Sequence, residues 1–387
     1  MSTLYLAWAH IVWHRWRSAV LVAAIALVLA VPATIERLLT ASEERLAARA
    51  EATPLLVGAR GSRLDLVMNA LYFSEDRPDP LSMAEVEAIW DSGLAEAIPL
   101  HLRFQAEAAP VVGTTLDYLS FRGLKTGEGR VFATLGEAVL GAGVARRLGL
   151  GPGDSLTSAP SNLFDLAGVY PLKMTVVGVL EPSGTQDDDA VFVDIKTAWV
   201  IAGIGHGHDD VVAEDGEPGA APRASAAIRQ YQEITPENVE SFHFHGDLAA
   251  YPVSAILAVP PDARAAMILR GRYLDAELGT QAVVPDRVIS ELLGRIFQIK
   301  RSLDAAVGLV ALAALVGVGL AVFLSLQLRQ REMRTAFRLG CRRSMIARLV
   351  LAEIALLLSM AGVLAAGIVL AAGSLADQAA GWLIGAA

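Results

Sequence analysis

Three long apolar runs constrain this chain more than any other feature: SAVLVAAIALVLAVPATI at 18–35, LDAAVGLVALAALVGVGLAVFLSLQL at 303–328 and LVLAEIALLLSMAGVLAAGIVLAAGSL at 349–375. A helix needs roughly 20 apolar residues to cross the hydrocarbon core of a bilayer, so the second and third runs are long enough and the first is just long enough. With 54% hydrophobic residues over 387 positions, the reading is a membrane protein with three helical spans at 18–38, 301–328 and 349–375.

Charge gives the spans a direction. The stretch 329–348, RQREMRTAFRLGCRRSMIAR, holds seven arginines and one glutamate, while the large region 39–300 carries an excess of acid. A nucleic-acid binder would carry its basic charge on the large domain, so that class is excluded. Short loops rich in Lys and Arg stay in the cytoplasm, which places 329–348 inside and 39–300 outside. Segment 1–17, with His10, His14, Arg15 and Arg17 and an interfacial set of Trp8, Trp13 and Trp16, reads as a cytoplasmic amphipathic start. The tail 376–387 then emerges on the outer face. A competing reading of the first span is a secretory signal cut near Val31, Pro32 and Ala33. The single cysteine, Cys341, excludes an intrachain disulfide.

The outer region alternates strand and helix signals, which implies an α+β domain. ERLLTASEERLAARAEA (36–52) continues the first span as a helical stalk up to Pro54. Strands are expected in 54–62 and 254–260, and helices in 83–93 and 261–274. EAVLGAGVARRLGLGPGDSL (137–156) reads as strand, helix, glycine-proline turn and strand. KMTVVGVLEPSGTQDDDAVFVDIKTAW (173–199) reads as two strands flanking a polar turn at 184–189. Small and polar residues at 203–230 read as a mobile insertion.

These residues carry a resemblance. One apolar anchor, a large outer α+β domain, then a span followed by Arg329, Arg331, Glu332, Leu339, Gly340, Arg342, Arg343, Ile346, Leu349 and Glu353 in the pattern R-x-R-E, L-G, basic cluster, V-L-x-E resembles the FtsX/MacB-type ABC transporter permeases. The 137–156 and 176–199 segments are similar to that family's MacB-like core domain. The resemblance implies a permease subunit that couples hydrolysis by a separate cytoplasmic ATPase to motion of the periplasmic domain, acting on a lipoprotein, peptide or drug. It further implies a homodimer or a pair with a paralogous permease, and a periplasmic lipoprotein or adaptor as a further partner. ATP and Mg would be bound by the partner, since no G-x-x-x-x-G-K-[ST] motif occurs here, and no catalytic constellation is present. A fourth span, usual in the family, has no counterpart in 376–387.

Independently of resemblance, arginines offer forked donors to acidic or carbonyl groups of a partner; the resemblance implies that this partner is the ATPase, with Arg329, Arg331, Arg334 and Arg338, and Glu332, Leu339 and Gly340, as its expected contact. Arg342, Arg343 and Arg348 serve that contact, lipid headgroups or Glu353. Glu353 lies inside the third apolar run, where a carboxylate requires a partner, and Arg348 or Arg343 is expected to supply it. Small residues at Ala313, Gly317 and Ala321 and at Gly362 and Ala366 make stripes for packing within the chain and between copies. His206 and His208, and His243 and His245, form two H-x-H pairs whose alternate spacing could present imidazoles to zinc. Two other functions stay open: a non-transporting scaffold that binds a periplasmic hydrolase or lipoprotein, and a component of a zinc transport complex.

Overall fold

The computed structural model of the protein describes residues 3–159, 171–207, 232–275, 277–328, 334–335, 337–338 and 342–384. Its helices are α1 (Thr3–Trp13), α2 (Arg15–Glu51), α3 (Arg63–Tyr72), α4 (Met83–Asp91), α5 (Leu116–Phe121), α6 (Ala142–Leu148), α7 (Ile195–Ile201), α8 (Ala263–Arg272), α9 (Pro285–Leu328) and α10 (Arg343–Ile384). The strands are β1 (Leu55–Ala59), β2 (Leu81–Ser82), β3 (Glu96–Ala106), β4 (Ala109–Thr114), β5 (Thr126–Gly129), β6 (Glu137–Leu140), β7 (Ser155–Thr157) and β8 (Leu172–Leu180). They continue with β9 (Val191–Asp194), β10 (Gly205–Gly207), β11 (Gln232–Glu233), β12 (Phe242–Phe244), β13 (Pro252–Val253), β14 (Ala255–Val259) and β15 (Thr280–Val283). The chain divides into two compact units, Met1–Glu44 with Leu292–Leu383, and one built on Arg45–Glu291.

The first unit is helical. Two helices are long and apolar enough to cross a membrane, α2 and the 344–373 part of α10; the shorter apolar piece Val307–Gly317 lies in α9. Pro32 sits inside α2 without ending it. Small side chains bring α2 and α10 together: Val22, Ile25, Ala26 and Ala30 pack with Leu357, Ala361 and Ala365, and Ile11 of α1 joins them. The small-residue positions expected from sequence stand beside this contact and not in it, as far as they are described. Ala313, Gly317 and Ala366 are exposed, Gly362 only half-buried, and neither glycine has a neighbour within reach of an added Cβ; the side chain of Ala321 lies outside the described set. The close intrachain contact falls on Ala361 and Ala365, one position away, because that is the α10 face that meets α2.

Two boundaries also move. The helix of the second apolar run begins at Pro285, well before residue 301, with proline at a first-turn position where its missing N–H costs nothing. The third begins at Arg343 and continues to Ile384, so Arg343 and Arg348 belong to the same helix as the third apolar run. The Ala-rich sequence after Leu375 favours continuation of the helix over a tail.

The second unit is an α+β domain on a mixed 11-stranded sheet in the order β11-β8-β6-β9-β4-β3-β14-β1-β15, with β5 and β7 also on β8. Strand β8 alternates buried and less buried residues, whereas β6, held between β8 and β9, is buried throughout. The two strands read in 173–199 are present, but they are not a hairpin. β6 is inserted between them, parallel to β8 and antiparallel to β9, so the polar segment between them is a crossover and not a tight turn. The expected strands and helices at 54–62, 83–93, 137–156, 254–260 and 261–274 are all found.

Strand β3 joins two cores. Its first half pairs with β14 and its second half with β4, with a bulge between His101 and Phe104. On one side Val111, Leu140, Met174, Val176, Val191 and Val193 pack together; on the other, Leu55, Val57, Val86, Ile89, Ile256 and Leu269 do so. Helix α7 serves both, giving Ala198, Val200 and Ile201 to the first core and Ile195 and Trp199 to the second. Trp199 is buried with its Nε1–H donated to the Pro252 carbonyl at 2.8 Å, which satisfies its one polar atom.

Candidate functional site

The most developed polar site of the outer unit is at the last turn of α2, where Arg49 enters the fold almost completely buried, 6% exposed. Its guanidinium makes a two-pronged contact with Asp187, Nη1 to Oδ2 at 2.6 Å and Nη2 to Oδ1 at 2.9 Å. Nη2 also donates to the Tyr118 hydroxyl at 3.0 Å, and Tyr118 in turn donates to Asp187 Oδ1 at 2.8 Å. The remaining donor, Nε, reaches the Leu71 carbonyl. Leu71 lies in the last turn of α3, where carbonyls have no intrahelical partner and the helix end carries partial negative charge. Arg49 thus ties three separate segments, the end of α3, α5 and the 186–189 crossover, to the foot of one long helix. A second tie is the Tyr72 hydroxyl, which donates to the Leu46 carbonyl of α2 at 2.5 Å.

Burial alone would favour the neutral forms of these groups. For Arg49 burial is outweighed by Tyr118 and Asp187, so its proton is held more tightly than in an ordinary arginine. Asp187 is likewise opposed by burial, but the hydrogen bonds and charge of Arg49 hold its carboxyl below the usual range. Tyr118 is pushed up by burial and then by Asp187, so it stays a neutral donor. The charged pair is therefore fully hydrogen-bonded, the condition under which a buried ion pair is tolerated.

The run Asp187-Asp188-Asp189 divides its labour. Asp187 points inward; Asp188 accepts from the Ser183 and Gly184 amides, both at 2.8 Å, and shapes the loop; Asp189 faces Arg147 at 3.6 Å. The crossover lies against the start of α6. A Cβ at Gly141 would come within 2.2 Å of the Asp187 carbonyl oxygen and 2.4 Å of that of Asp188. Gly141→Ala is therefore expected to displace the crossover and destabilise the unit by about 1–3 kcal/mol. Faster hydrogen exchange of the 185–190 amides would show it, with Gly151→Ala, which has open space, as an unchanged control.

Sequence reading missed Arg49, Tyr118 and Asp187 and took 183–189 for a simple turn. The available signal was slight: a lone arginine among alanines in AARAEA, on a turn where Ala50 is fully buried.

The residues singled out from sequence fall as follows. Arg334 and Arg338 are helical and exposed, four residues apart, the spacing that sets side chains on one helix face. Arg342 is exposed at the start of α10. Arg329, Arg331, Glu332, Leu339 and Gly340 lie outside the described residues, as does most of the 203–230 insertion. Glu353 contacts His10 of α1, Nδ1 to Oε1 at 3.0 Å, a partner that the sequence reading did not name. The packing of α1 against α10 brings a residue from the far end of the sequence to this acid. The two histidine pairs are brought together in part. Residues 206 and 243 stand directly opposite in the β10–β12 ribbon, and the rings of His243 and His245 touch edge to face at 4.5 Å; His208 lies outside the described residues. Among the described residues no group of three His, Cys, Asp or Glu stands where a metal could be held.

The family description MacB-like periplasmic core domain matches residues 19–231, more than half of the chain. The chain belongs to this family. The resemblance to FtsX/MacB-type ABC permeases is thereby supported, and the matched stretch contains Arg49, Tyr118 and Asp187. No curated protein matches this MacB-like chain. Among solved structures it is similar to the periplasmic region of MacB from Actinobacillus actinomycetemcomitans, at 10% identity over 62% of this chain and 94% of that one, with a TM-score of 0.35. It is also similar to the extracellular domain of the noncanonic ABC-type transporter YknZ from Gram-positive bacteria, at 11% identity over 59% and 98%, with a TM-score of 0.33. Family membership makes the chain a transporter subunit in general terms.

Proposed function

We propose that this MacB-like chain is the permease subunit of an ABC transporter and works by transmitting motion. Family membership implies an ABC ATPase as partner in general terms, and the exposed arginine face at Arg334 and Arg338 is the surface it would engage. The observation that carries the mechanical reading is the end of α2. One helix runs unbroken from Arg15 to Glu51, contains an apolar stretch of membrane length, and has its last turn fixed by Arg49 to three segments of the outer domain. Motion of the span would, in this reading, pass along α2 to the segments that Arg49 holds in the outer domain. In this reading the apolar stretches of α2, α9 and α10 are the spans of a multi-pass inner membrane protein. The exposed Leu312, Leu320, Leu351, Val363 and Leu370 suit contact with lipid or with a second permease copy. The cargo, whether lipoprotein, peptide or drug, acts at the outer domain.

Arg334→Glu combined with Arg338→Glu is expected to reduce recovery of the ATPase with the full-length permease by about tenfold, because two forked donors become repulsive. Undiminished co-purification would remove this surface from the ATPase contact.

A further inference from the structure

Strand β5 forms an open edge of the large sheet. It pairs with β8 on one side, where the Glu181 amide donates to the Lys125 carbonyl at 2.8 Å and the Arg130 amide to the Val177 carbonyl at 2.9 Å. Among the described residues no strand pairs its other side. Such an edge can accept a further strand, and proteins restrict this with short strands, bulges and charge. β5 has four residues, a shift of register between Thr126 and Glu128, and an exposed acid in Glu128. What sets it apart from a merely protected edge is the cleft of about 400 Å³ beside it, between β5 and α6. Ala145 of α6, Leu150 after it and Val179 of β8 line this cleft with apolar surface, and Gly127 leaves the β5 side without a side chain. Its acids are Glu128 and Glu181, both exposed, and among the described residues neither carboxylate has a hydrogen-bond or ion-pair partner. Arg146, the one cation lining the cleft, acts on Asp189 of the crossover, whose charged form it favours.

We propose that β5 and this cleft bind an extended peptide segment of a partner protein, which adds to the sheet as a strand and carries an apolar residue with Lys or Arg two positions along. Strand addition draws affinity from main-chain hydrogen bonds and specificity from a pocket for alternate side chains. Alternate residues of a strand face the same way. An apolar side chain set against Ala145 and Val179 therefore brings the basic one to the same face, toward the cleft that Glu128 and Glu181 line. A second copy of this chain fits less well, because its outer region is itself rich in acid and would meet these carboxylates with like charge. The inference concerns the outer unit alone and does not involve the ATPase-facing arginines, so its failure leaves the transport reading untouched.

The test uses the full-length chain in discs of zwitterionic lipid and the fluorescence anisotropy of a labelled, end-capped heptapeptide of threonines that carries leucine at its third position and lysine at its fifth. The peptide is expected to bind saturably, and glutamate in place of its lysine to weaken binding by about tenfold or more. N-methylation of one alternate set of its amides is expected to abolish binding and of the other set to leave it, because only one edge of an added strand meets β5. Glu128→Lys combined with Glu181→Lys, both at exposed positions, is expected to reverse the preference between the lysine and glutamate peptides. Equal affinity for those two peptides in wild type, an unchanged preference in the double variant, the same affinity after methylation of either set, or no binding at millimolar concentration overturns the proposal. Peptide affinity that falls as protein concentration rises gives the cleft to a second copy and overturns it as well.

Discussion

Arg49→Met is expected to destabilise the outer unit by about 3–5 kcal/mol, because it strands a carboxylate in the interior with only neutral donors left beside it. Asp187 is 1% exposed and has Tyr118 and Thr185 as its other side-chain partners; neither supplies a charge. Asp187→Asn is expected to cost less than Arg49→Met. It keeps the shape and leaves Arg49 its bonds to Leu71 and Tyr118, while removing the charge that offsets burial. In the double variant the cost should fall well short of the sum, since each group's penalty arises from the other's presence. Hydrogen exchange of the 185–201 segment in the full-length protein measures the cycle, and strict additivity would show that the pair is not coupled. The acid dependence has a defined sign. Asp187 has a folded pKa below its unfolded value of 3.8, so the pair's contribution is complete above that value and is lost as the pH falls through the folded pKa.

A second large effect is expected at His101, on the strand shared by the two cores. The ring is 1% exposed, and only the Pro252 backbone favours its protonated form. Burial, followed by the charge of Arg103, lowers its pKa from 6.5 to about 4. Between those values the unfolded chain binds a proton that the folded chain refuses, so stability rises with pH across the window and falls on acidification through it. Acidifying from pH 7.5 to pH 5 should therefore cost about 2 kcal/mol through this one residue. His101→Leu should remove that slope, at the price of a repacking change that is the same at every pH. The comparison is between slopes, read from unfolding of the outer unit at a series of pH values; parallel slopes in wild type and variant would show that His101 does not cause the acid sensitivity.

Much of the architecture was legible because it depends on short-range pattern. Apolar length marked the long helices of α2 and α10, and period-two alternation marked β8. The glycine-proline turn in 149–153 separated α6 from β7 as its residues required. What the pattern could not supply was the lateral order of strands. β8 and β9 are neighbours in sequence and both strand-like, yet the sheet places β6 between them, a choice decided by which apolar faces fit across the whole domain.

The site divides along the same line. The basic face at Arg334 and Arg338 could be found from sequence because exposed charge is a local property. Arg49, Tyr118 and Asp187 could not, since they are separated by 69 residues or more along the chain and each looks ordinary where it stands. Glu353 shows the contrast in a single residue. That an acid inside an apolar run needs a partner follows from the cost of burying charge, so the sequence alone required a partner. Only the packing of α1 against α10 decided that His10 is a partner, because a contact between residue 10 and residue 353 depends on where helices meet in space and leaves no trace in the spacing of residues along either one.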